Sequence, residues 1–72
     1  MTGAVLRKIM YVKNIKLSTV ADSSGWSRQR FNSMLRANDV KSGVIERIAE
    51  VSGVSVAEIY NFAKIIESED KI

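Results

Sequence analysis

The chain has no cysteine, no histidine and no proline. Without cysteine and histidine there can be no disulfide, no thiol nucleophile and no zinc finger, and the commonest general base is missing as well. Without proline no residue forces a helix to break, so helix ends must be read from glycines and capping side chains. No stretch approaches the ~18 uninterrupted apolar residues of a membrane span. The amphipathic N-terminus MTGAVLRKIMYVKNIK lacks the apolar core and small-residue cleavage site of a signal peptide. Neither a phosphate-binding loop nor a carboxylate pair suited to a cleft is present. These absences predict a soluble, cytoplasmic protein that is not an enzyme, with no cofactor, no metal, no membrane contact and no small-molecule substrate.

What remains is helix. The 72 residues allow one domain, and a domain of that size buries only ~60% of the surface its unfolded chain exposes. Its thin core must therefore be well packed or helped by oligomerisation. Apolar residues recur at helical spacing throughout, with no strand-like alternation. The spacing predicts helices over about Val5–Lys13, Leu17–Ser24, Ser27–Leu35, Gly43–Val51 and Val56–Ile66. Asn14 suits a left-handed turn after the first helix. Gly25 and Gly53 suit the ends of the second and fourth, and Ser27 and Ser42 suit N-caps. Ser55 and Glu58 have the spacing of a capping box. The ordered bundle is expected over about residues 4–66, with a frayed polar tail at 67–72. The chain also resembles itself: VADSSGWS (20–27) and IAEVSGVS (48–55) both read as helix, glycine stop and a serine that starts the next helix.

Charge is divided unevenly. Residues 1–41 carry eight basic side chains against two acidic, a net +6, whereas residues 42–72 carry three against six, a net −3. The N-terminal half is suited to an anionic partner. Within it lies LSTVADSSGWSRQRFNSML (17–35). Ala21 is small where two helices would cross closely, and Gly25 supplies the positive φ of a tight turn. Val20, Trp26, Phe31 and Met34 fall on the inward side. Ser27, Arg28, Gln29, Asn32 and Ser33 form a run of hydrogen-bonding side chains on the outer side. Arginine pairs with guanine, and glutamine with adenine, through two hydrogen bonds in the major groove. Trp26 occupies an apolar position and is read as core rather than as a stacking platform.

At these residues the chain resembles the Cro/cI-type (XRE) helix-turn-helix family of phage and bacterial transcriptional regulators, over roughly Leu6–Ile59. Leu6 and Ile9 match the first-helix stripe, Val20-Ala21 and Gly25 the core of the motif, Ser27-Arg28 its turn exit, and IAEVSGVSVAEI (48–59) the closing stretch. The resemblance implies an all-α, five-helix, lambda-repressor-like DNA-binding domain whose third helix enters the major groove. Several positions depart from the family pattern. Lys16 and Leu17 stand where the second helix usually has a capping residue and a polar DNA contact. Ser24 and Ser52 replace the leucines that usually precede the glycines, and Arg36-Ala37 replaces Asn-Gly. Met10 and Leu35 occupy the positions of an arginine–glutamate pair, and replacing both partners of such a pair with apolar groups can be neutral or stabilising.

Carried over by position, the resemblance implies Arg28, Gln29 and Ser33 for base edges and Asn32, Arg36 and Lys41 for phosphates. Ser27 and Arg30 are ambiguous DNA contacts. The fifth helix is too apolar to read DNA. Val56, Ile59, Ala63 and Ile66 can face the core, which leaves Tyr60, Phe62 and Ile65 as a protein interface. Two functions follow. One is a sequence-specific, repressor-like regulator of transcription, in the form of a phage or mobile-element genetic-switch protein, that binds double-stranded DNA as a homodimer. The other is a modulator or antirepressor that keeps the fold and binds a partner repressor.

Overall fold

Thr2 opens the first helix: its hydroxyl accepts a hydrogen bond from the Val5 N–H at 3.2 Å, and α1 (Gly3–Val12) follows. The cap starts α1 two residues before the expected Val5. The computed structural model describes residues 1–70, which form four further helices and no strand: α2 (Leu17–Ser24), α3 (Arg28–Met34), α4 (Ser42–Ser52) and α5 (Val56–Asp70). α1 packs against α5, α2 against both α3 and α4, and α4 against α5.

The chain reverses by repeated left-handed turns. After α1, Asn14 adopts φ 59°, and the N–H groups of Ile15 and Asn14 reach back to the carbonyls of Met10 and Tyr11. After α2, Gly25 at φ 72° closes the same double hydrogen-bonded turn, from Trp26 to Ala21 at 2.9 Å and from Gly25 to Asp22 at 3.3 Å. After α4, Gly53 at φ 76° makes the single-bonded version, to Ala49. The two self-similar segments are thus one device used twice. Each ends in a serine whose Oγ accepts from the N–H three residues on, Ser27 from Arg30 and Ser55 from Glu58, both at 3.1 Å.

Three expected helix ends need correction. Ser42 is not a cap but the first residue of α4. Lys41 precedes it without a side-chain cap, and the Lys41 carbonyl already accepts from Val44 and Ile45. The Ser55–Glu58 box is only half made, because the Glu58 carboxylate bonds Lys13 Nζ at 2.7 Å instead of reaching back. A charged donor is a stronger partner than a neutral amide. Finally, α5 continues past Ile66 to Asp70, since nothing in Glu67-Ser68-Glu69 stops a helix. The last two residues of the expected tail lie outside the described ones.

The core is a single cluster. Leu6, Ile9, Val20, Phe31, Ile48 and Ile59 are among its fully enclosed members, and Trp26, Met34 and Phe62 pack partly buried against it. Trp26 and Phe31 stack at a tilt with ring centroids 5.4 Å apart, which seats the turn on α3. Met10 and Leu35, in place of the ion pair, are 1% and 2% exposed. An apolar side chain therefore occupies both buried positions, and neither leaves a lone charge to desolvate.

The serines in place of leucine are not idle. Ser24 Oγ accepts from Arg47 Nε at 2.8 Å, and the Arg47 guanidinium also bonds the Ser23 carbonyl, which fastens a cation to the C-terminal end of α2. Ser52 Oγ donates to the Ala49 carbonyl at 3.4 Å and accepts from the Val54 N–H at 3.3 Å. At the other end of the bundle, the Gly3 N–H donates to Ala37 and the Val40 N–H to Met1. These bonds tie the start of α1 to the loop after α3.

Candidate nucleic-acid interface

α3 divides its chemistry between two sides. Phe31 is buried, and Met34 and the following Leu35 lie on the same side. Arg28, Gln29, Arg30 and Ser33 are all exposed. A helix with its side chains is ~10–12 Å across, the width of a B-DNA major groove. The exposed side projects from a rigid base: the Gly25 turn and the Ser27 cap fix its start, and Trp26 against Phe31 fixes its roll.

The residues expected to meet DNA are placed unequally. Arg28, Gln29 and Arg30 present exposed side chains on α3. Arg36 follows the helix and Lys41 precedes α4, both exposed. The other three are partly committed within the protein. Ser27 Oγ serves as the cap. The Ser33 hydroxyl donates to the Gln29 carbonyl one turn back at 3.0 Å, so it offers DNA an acceptor and not a donor. Asn32 is half-buried, and its Oδ1 accepts from Arg7 Nη2 at 2.9 Å.

Arg28 and Asn32 also face a cleft of about 490 Å³ that runs between α1, the start of α2 and α3. Arg7, Tyr11, Lys16 and Leu17 line it from the other sides, and the described lining carries three cations and no acidic side chain. Neither Arg7 nor Lys16 carries a signal of a DNA contact in the sequence. Arg7 sits beside the apolar stripe of α1 in a helix whose partners the sequence does not name. Lys16 stands at the N-cap of α2 without a side-chain hydrogen bond.

The residues expected at a protein interface do not form one patch. Ile65 is 55% and Tyr60 39% exposed, whereas Phe62 is half-buried beneath Lys13, whose Nζ lies 4.9 Å from the ring centroid. Tyr60 and Phe62 are two positions apart on a helix, hence ~200° around its axis. Other apolar exposure is at the end of α1, at Tyr11 and Val12. No helix among the described residues is long and apolar enough to cross a membrane.

Against this geometry, residues 5–64 match the family model of the Cro/C1-type helix-turn-helix DNA-binding domain. No curated protein matches the chain, and no solved structure does.

Proposed function

Because the chain belongs to the Cro/C1-type helix-turn-helix DNA-binding domain family, we propose that it is a sequence-specific regulator of transcription, repressor-like, that reads double-stranded DNA with α3. The observation that carries this reading is the exposed side of α3. Arg28 and Gln29 stand free at its start on a turn locked by Gly25, Ser27 and Trp26. Arg28 and Gln29 are the base-reading pair. Ser33 adds an acceptor, and Arg30, Arg36 and Lys41 supply cations for the flanking phosphates. By occluding its site such a protein acts as the switch of a phage or mobile element. Two copies would read half-sites ~34 Å apart.

The test is selection of a preferred duplex from a randomised library, followed by anisotropy titrations over a range of salt. Wild-type affinity should fall steeply with salt, as expected for phosphate contacts. Arg28→Ala and Gln29→Ala should each lose about 1–3 kcal/mol on the selected duplex and relax the preference at one base step. Unchanged affinity in both variants would remove α3 from the interface.

The exposed apolar side chains on α5 and at the end of α1 support a second reading, in which the fold binds a partner repressor protein. That reading predicts a chain indifferent to DNA at any salt.

A further inference from the structure

Among the described residues, one hydrogen bond between side chains of different helices reaches the surface proposed to meet DNA. Arg7 on α1 and Asn32 on α3 are separated by 25 residues, and Nη2 of the first lies 2.9 Å from Oδ1 of the second. Arginine has only donors, so the amide atom that faces it must be the oxygen. With Oδ1 turned toward α1, the amide nitrogen points away from α1. Adenine recognition by asparagine needs oxygen and nitrogen directed together at one base edge, and the link to Arg7 denies that arrangement. What Asn32 can still offer is its pair of N–H donors, on the flank of α3 next to Arg28, in a cleft lined by cations.

We infer that Arg7 is a positioning residue of the DNA-binding surface. Its guanidinium holds the Asn32 oxygen, so that Asn32 meets DNA only as a donor, to a phosphate oxygen at the edge of the groove. This rests on α3 being the reading helix. It adds that a residue of α1 sets which atom of α3 is presented, and that the two act as a unit. Held in this way, the amide loses little further freedom when the phosphate arrives.

The experiment is a double-mutant cycle on the duplex selected by the wild-type chain, with Arg7→Met, Asn32→Ala and the double variant. Methionine keeps an unbranched apolar stem at position 7. Thermal melts fix a temperature at which every variant is folded. Each single variant is expected to bind about tenfold more weakly, the loss of one hydrogen bond to a charged group, and the double variant no more weakly than the worse single one. Arg7→Lys keeps the charge without the planar fork and should recover only part of the loss. Asn32→Asp should bind more weakly than Asn32→Ala, because its second oxygen would face the phosphate. Additive losses, or full recovery by lysine, would show that Arg7 acts by its own charge and would overturn the inference. Silent single variants would overturn it too. If instead the wild type selects no duplex, or Arg28→Ala and Gln29→Ala are without effect on one, the reading of α3 fails first.

Discussion

Replacing Gly3 with alanine sets two effects of opposite sign against each other. By helix propensity alone, alanine within α1 is better than glycine by up to ~1 kcal/mol. The packing opposes it. A Cβ at position 3 would lie 1.6 Å from the Leu35 carbonyl oxygen and 2.3 Å from its carbon. The obstacle is backbone, and Leu35 itself is 2% exposed, so no side chain can swing aside. The start of α1 must lift off α3, which strains the Gly3 N–H bond to Ala37 and the Val40 N–H bond to Met1. Overpacking of this kind costs ~1–3 kcal/mol, and two weakened hydrogen bonds add about 1 kcal/mol. After the propensity gain the net loss is about 2 kcal/mol, a large share of the ~4–11 kcal/mol that a domain of this length holds. A midpoint drop of roughly 8–16 °C should follow, read from the helical circular dichroism signal. Gly43→Ala is the internal control. It lies within α4, its new Cβ meets nothing within 4 Å, and it should raise the midpoint. If Gly3→Ala melts at or above the wild type while Gly43→Ala behaves as stated, the close approach of α1 to Leu35 is wrong.

At Gly25 the constraint is backbone angle and not space, since nothing lies within 4 Å of its Cβ position at φ +72°. Gly25→Val should therefore lower stability clearly, by ~2 kcal/mol or more, and Gly25→Asn by much less, as Asn14 already sits at φ 59°; equal melting of the two variants would contradict this. Arg47→Met removes the bonds to Ser24 and Ser23 and should cost about 1 kcal/mol in a chemical unfolding curve. Because Arg47 lies outside the proposed DNA surface, affinity of the folded variant for the selected duplex should not change. Sedimentation velocity tests the pairing of two copies. A concentration-dependent dimer that Ile65→Glu dissociates would place the contact on α5, and a dimer that survives both Ile65→Glu and Tyr60→Glu would place it elsewhere.

The sequence by itself determined the punctuation of the helices and the polar side of α3, because both are local chemistry. Gly25, Gly53 and Asn14 supply left-handed angles, Ser27 and Ser55 cap the residue three ahead, and apolar spacing marks which side of each helix turns inward. Where locality runs out, the partners are set by packing. Glu58 was expected to close its own capping box and instead pairs with Lys13, 45 residues away. Phe62 lies under that same lysine, a contact that apolar spacing along α5 does not reveal. Asn32 was expected at a phosphate, and the bond that holds its oxygen comes from Arg7, 25 residues away. Ser24 stands where the family usually has leucine, and Arg47 from α4 bonds it. Periodicity tells which side of a helix is apolar but not which helix lies against it. The partner of a polar group at the edge of that side, and hence the atom it has left to offer DNA, is decided only when the helices pack.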